Sequence, residues 1–165
     1  MKVSVVTRKD FNLSPRQLLI SSRKELENIL TSFNHTEGNN SYYFLDYYRQ
    51  EIVVSSLSAP ILGGFSKALA DQEGFDFFER ILSNKEWNWM SRVNVKMYEF
   101  FFSCPEADRK HLAFAYDLKI TTIKGKQIIL SHIIVPYKLC KNGNLWLGLC
   151  QVSVSPNHKS GCPTI

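Results

Sequence analysis

The sequence has no continuous apolar run of eighteen or more residues, so no membrane-spanning helix is expected. Its first ten residues, Met1-Lys2-Val3-Ser4-Val5-Val6-Thr7-Arg8-Lys9-Asp10, lack the apolar core of a secretory signal, which makes the cytoplasm the expected compartment. Cysteine is sparse. Cys104, Cys140, Cys150 and Cys162 all lie more than four residues apart, so neither a zinc knuckle nor a Cys-x-x-Cys redox pair can form locally. A reducing compartment argues against disulfides, and Cys150 within Leu147-Gly148-Leu149-Cys150 reads as a small buried hydrophobe. There is no Gly-x-Gly-x-x-Gly and no Gly-Lys-Ser/Thr loop, which removes the common nucleotide-binding readings.

What is present is the composition of a globular protein, 44% hydrophobic and 21% charged. At 19.0 kDa a single domain buries about 70% of the surface its unfolded chain exposes, enough for a core without staples. The net charge of +5 is unevenly spread. Residues 1–40 hold six Lys/Arg against four Asp/Glu, residues 41–110 eight against ten, and residues 111–165 six lysines against Asp117 alone. The C-terminal excess has no arginine and no basic helix. Lys124, Lys126, Lys138 and Lys141 fall at expected hairpin ends, where lysine blocks edge pairing, so direct nucleic-acid binding by this chain is not expected.

The first helix signal is Ser14-Pro15-Arg16-Gln17, a cap followed by proline at the first helical position. Leu19, Leu26, Ile29, Leu30 and Phe33 then share one face, and Thr36–Ser41 ends the helix in turn formers. Two strands follow, Tyr42–Tyr48 and Glu51–Ser55, joined at Arg49-Gln50. Short helices are expected around Ser66–Ala70 and Gly74–Leu82. A long helix begins at the capping box Ser83-Asn84-Lys85-Glu86, presents Trp89, Val93, Met97, Phe100 and Phe101, and stops at Cys104-Pro105. At 1.5 Å per residue it is about 30 Å long, enough to cross a small sheet. Alternation from Leu112 to Thr121, the turn Lys124-Gly125-Lys126, the segment Gln127–Leu139, the hairpin signal Asn142-Gly143 and Leu145–Ser155 complete a three-strand meander. Two strands and three strands around one long helix point to a five-stranded antiparallel sheet with helices on one face, an α+β fold.

In this order the chain resembles a PAS domain from Ser41 to Ser155, and the resemblance implies a sheet of order 2-1-5-4-3. Tyr43–Tyr47 and Ile52–Ser56 are similar to the first two strands, and Leu62-Gly63-Gly64-Phe65-Ser66 to the segment of short helices. Gly74-Phe75-Asp76-Phe77-Phe78 is similar to the stretch before the long helix. The run from Lys96-Met97-Tyr98-Glu99-Phe100-Phe101 to Ala115-Tyr116-Asp117-Leu118-Lys119-Ile120 is similar to PAS-containing LuxR-type regulators of bacteria, whose helix-turn-helix follows the PAS domain. The usual His-Pro-Asp-Asp before the long helix is here Ser83-Asn84-Lys85-Glu86. No helix-turn-helix pattern occurs, so DNA contact is expected only through a part outside this sequence.

The resemblance implies an extension at 1–40, a sensor domain at 41–155 and a linker-like tail at 156–165. It also implies that any ligand lies between sheet and long helix, where Trp89, Val93, Met97, Phe114, Tyr116, Ile129 and Leu147 are the candidate binding residues. Tyr116, Ser131 and His132 are the polar side chains expected nearby. Neither haem nor flavin is expected, because residues 84–104 hold no histidine and the Asn-Cys-Arg-Phe photosensor pattern is missing. Cys104 with His111 has no orienting acid, and neighbours Ser131 and His132 point to opposite faces of a strand, so no catalytic group is expected. The alternative class is a cone-shaped enzyme or binding protein like ketosteroid isomerase, which requires a perturbed buried carboxyl group in the pocket. A homodimer is expected through Leu19, Leu26, Ile29, Leu30 and Phe33, with a fold-back of that helix over the outer sheet face as the competing arrangement.

Overall fold

The computed structural model describes residues 41–49, 51–74 and 76–155, together with Asn28. Apart from Asn28, the expected helix over Pro15–Phe33 and its dimer stripe lie outside the described residues, as does the tail 156–165. The elements are β1 (Ser41–Asp46), β2 (Glu51–Ser56), α1 (Lys67–Glu73), α2 (Asp76–Ile81), α3 (Asn84–Ser103), α4 (Glu106–Arg109), β3 (Phe114–Thr121), β4 (Gln127–Leu139) and β5 (Leu145–Val154). The strands form one antiparallel sheet of order 2-1-5-4-3, as expected. The first and last strands of the domain therefore lie side by side at its centre.

The helix starts follow the sequence signals. The Ser66 hydroxyl accepts from the Leu69 N–H at 3.2 Å, and Ser83 accepts from the Glu86 N–H at 3.2 Å, each satisfying an otherwise orphaned donor. The Glu86 carboxylate accepts from the Lys119 N–H on the edge strand β3 at 3.4 Å, tying the start of α3 to the sheet. Before α1 the chain packs its backbone on the β3–β4 turn. The Ile123 N–H donates to the Gly63 carbonyl at 2.9 Å, and a Cβ on Gly63 would lie 3.3 Å from Thr122 Cα, so glycine permits this approach. At its far end α3 closes on Cys104, which takes extended geometry ahead of Pro105.

Sequence and structure differ at two places near that end. Phe100, expected on the buried face, is 49% exposed, because its ring overhangs the first residue of β3 and meets Phe114 edge-on at 6.3 Å. Strand β3 starts at Phe114, so Leu112 falls in the preceding turn, and the one-turn helix α4 fills a stretch that carries no periodic pattern.

Both faces of the sheet carry core. The face toward the helices joins Tyr43, Leu45, Tyr116, Leu118, Ile120, Leu130, Ile134, Cys150 and Val152 to Leu62, Phe77 and Ile81. A second buried cluster joins Tyr42, Phe44, Cys140, Trp146, Leu147 and Leu149. Register shifts flank Lys138 in the β4–β5 pairing, and such bulges let the neighbours Trp146 and Leu147 share one cluster despite strand alternation.

Arg109 locks the end of α3 to the β4–β5 hairpin. Its guanidinium donates to the carbonyls of Cys104 (3.1 Å), Gly143 (3.1 Å) and Phe102 (3.2 Å), and lies over the rings of Phe101 and Phe102. Gly143 has φ +72°, and a Cβ there would come within 2.6 Å of Glu106 Cγ and 3.0 Å of the guanidinium. Gly143→Ala is therefore expected to cost about 1–3 kcal/mol from backbone strain plus displacement of this clasp. Gly125→Ala has a similar φ of +75° with nothing within 4 Å of the new Cβ, and isolates the strain. Equal losses for the two in denaturant melts would dismiss the clasp.

Candidate functional site

The space between α3 and the sheet is lined by rings that carry polar atoms. Tyr116 stacks on His132 at 5.3 Å with the planes 5° apart. Tyr43 meets His132 edge-on at 6.3 Å, and Trp89 of α3 meets Tyr116 at 6.2 Å. The Tyr43 hydroxyl is hydrogen-bonded to the Cys150 thiol, and burial pushes the pKa of both groups up. Burial also raises Tyr116, Tyr47 and Tyr98, so these phenols stay protonated and serve as neutral donors. His132 is pushed down to about 4 by the same desolvation, against smaller upward pulls from the Leu130 backbone and Asp117. It is neutral at physiological pH, and its Nδ1 is buried with no hydrogen-bond partner.

Nearer the C-terminal end of α3, Tyr47, Met97, Tyr98, Phe101, Phe114 and Ile134 enclose a narrow apolar crevice with room for about one water molecule. The Tyr98 hydroxyl is buried and unpartnered, and its ring stands perpendicular to Tyr47 at 5.5 Å. An unsatisfied buried hydroxyl costs about 1–3 kcal/mol, a penalty that an incoming acceptor would relieve. Among the described residues no three His, Cys, Asp or Glu side chains gather where they could hold a metal ion.

Five of the expected site residues meet on this side. Trp89, Val93, Met97 and Phe114 are half-buried against the helix-side core, and Tyr116 is buried within it. Ile129 and Leu147 do not join them. Lys119 and Ile129 pair next to Leu118 and Leu130, which face the helices, so alternation sends Ile129 to the other face. Leu147 belongs to the second cluster with Trp146 and Leu149. Both residues sit in runs apolar at nearly every position, Ile128-Ile129-Leu130 and Leu145–Cys150, which carry no alternation signal. Ser131 is also on the far face, where its hydroxyl and the Asp117 carboxylate hydrogen-bond at 2.6 Å, whereas His132 faces the helices as strand alternation requires. The reading missed Tyr43, Tyr47 and Tyr98, whose hydroxyls make the space more polar than its aromatic character suggests. For Tyr43 and Tyr47 the signal was the tyrosine-rich composition of β1 and its following turn, whereas Tyr98 stands on α3.

No family model matches the chain, and no curated protein matches it. Among solved structures it is similar to the PAS domain of a protein from Colwellia psychrerythraea, at 12% sequence identity and a TM-score of 0.50, over 79% of this chain and 96% of that one. The fold is PAS-like. Within this PAS-like fold the tyrosine and histidine cluster sits under the long helix, at the centre of the sheet, where β1, β5 and β4 lie together. Among the described residues no helix is long and apolar enough to cross a membrane.

Proposed function

We propose that the chain is a non-enzymatic PAS sensory module of a bacterial transcription regulator, cofactor-free, with a small molecule or a partner as its signal. The observation that carries the sensory reading is the unpartnered Tyr98 hydroxyl in the wall of an apolar crevice beneath the long helix of a PAS-like fold. An apolar wall carrying the Tyr47 and Tyr98 phenols suits an uncharged, largely aromatic ligand with a hydrogen-bond acceptor; a charged ligand would lose its hydration without gaining a counter-ion. The crevice has room for about one water, so occupancy by a larger ligand would displace α3 from the sheet. That displacement would reach the β4–β5 hairpin, because Arg109 couples it to the end of α3. The regulator context is supported by the similarity of Lys96–Phe101 and Ala115–Ile120 to LuxR-type regulators. The carboxyl group that an isomerase-like reading needs is not supplied by Asp117, which bonds to Ser131 on the far face.

The test is a titration with neutral aromatic ketones, followed by amide shifts of Met97, Tyr98 and Phe114. Shifts confined to these residues and their neighbours are expected, with Tyr98→Phe weakening binding about tenfold through loss of one hydrogen bond. Shifts at exposed residues only, or equal affinity in Tyr98→Phe, would remove the ligand-sensing reading.

A further inference from the structure

The second cluster lies on the sheet face opposite the helix-side core, and this is where burial outruns the described structure. Leu147 is 0% exposed and Leu149 9%. Strand neighbours shield the flanks of a side chain, but only an overlying layer removes its top from water. Among the described residues the helices supply Ala70, Phe77 and Ile81 to the helix-side core, and of the helical side chains Tyr98 alone is packed against the second cluster, beside Tyr47, Tyr48 and Val135 from the turn and strands. Ile133 of β4, on the same outer face, is 42% exposed and marks where the cover ends. Beyond it Ala113 and Ala115 are exposed and small, needing none. The covered part of this face thus lies over β1 and β5.

We propose that the occupant of this face is the apolar stripe Leu19, Leu26, Ile29, Leu30 and Phe33 of the same chain. Seven residues lie between Phe33 and Ser41, eight Cα-to-Cα steps with an extended reach of about 26–29 Å, enough to return from the start of β1 across its own face. Asn28 is helical and exposed, as required of a position opposite Leu26, Leu30 and Phe33 on a helix that turns this stripe inward. The tail 156–165 is the poorer occupant, because Asn157-His158-Lys159-Ser160-Gly161 brings no apolar side chain and Ile165 is the one large aliphatic residue after it. This cover is independent of what the opposite face of the sheet binds.

Trp146, buried in the second cluster under the Lys138 ammonium, reports on the face. In the full-length chain carrying Trp87→Phe and Trp89→Phe it is the sole tryptophan. Acrylamide quenching of Trp146 is expected to rise several-fold when Ile29→Asp and Leu30→Asp are added and to stay unchanged with Asn28→Asp, the unaltered chain sedimenting as a monomer. Unfolding of the Ile29/Leu30 variant while the Asn28 variant folds would support the same conclusion, since a segment touching nothing cannot unfold the domain when charged. Unchanged quenching in a folded Ile29/Leu30 variant overturns the proposal. So does a dimer whose dissociation on dilution exposes Trp146, which would make the second copy the occupant.

Discussion

Phe44→Ala is expected to destabilise the domain by about 3–5 kcal/mol, the range for emptying a fully buried aromatic site. Phe44 is fully buried, pairs with Val54 on one side and Leu149 on the other, and receives the edge of the Tyr137 ring at 5.0 Å. Two ordered neighbouring strands and a ring leave little freedom to collapse into the vacancy, which places the cost toward the upper end. Ile133→Ala, on the same outer face but partly exposed, is expected to cost about 1 kcal/mol or less, because little of its surface left water on folding. Chemical denaturation of both variants separates the possibilities. A loss for Phe44→Ala no greater than for Ile133→Ala would mean that the outer face of β1 and β5 is not core, and the proposed cover would fall with it.

The contrast between these two residues also explains what could be read from the sequence. The elements were legible because punctuation bounds them: Lys124-Gly125-Lys126 and Asn142-Gly143 turn the meander, and Ser83 and Cys104-Pro105 bound the long helix, whereas the strand order followed only from the resemblance to PAS domains. The facing of side chains was legible only where polar residues alternate with apolar ones. Tyr116, Leu118 and Ile120 alternate with Asp117 and Lys119, and they went inward as expected. Leu145–Cys150 is apolar throughout because both sides of β5 are covered, so Leu147 gave no sign of its face, and the bulges near Lys138 shift the alternation further. The Arg109 clasp joins groups 34 residues apart at Gly143 and leaves no local pattern at all. In the candidate site, the aromatic lining from α3 and β3 was visible as spacing. The polar contribution of β1 and its turn was not, because Tyr42, Tyr43, Tyr47 and Tyr48 look alike until the sheet assigns Tyr43 to the helix side and Tyr42 to the other.

His132 makes the stability of the domain depend on pH in a direction opposite to that of a surface histidine with an acidic partner. Its folded-state pKa, about 4, lies below the ordinary 6.5, so the unfolded chain binds a proton that the folded chain refuses. The contribution of neutral His132 is complete above pH 6.5 and drains away as pH falls toward 4, where both states become protonated alike. Between pH 7.5 and 4.5 this amounts to about 2–3 kcal/mol of lost stability, taking 1.36 kcal/mol per pKa unit. Protonation at the buried, unpartnered Nδ1 would place a positive charge against Tyr116 and Tyr43, while the Asp117 carboxylate is held by Ser131 on the other face. His132→Phe keeps a flat ring for Tyr116 to stack on and removes the titration. Urea midpoints measured at both pH values for the native chain and for this variant give the His132 share by difference, which cancels the carboxylates that also titrate in that range. The native chain is expected to lose the larger amount by about 2–3 kcal/mol. Parallel losses would mean that water reaches the imidazole and that the core under the long helix is open rather than closed.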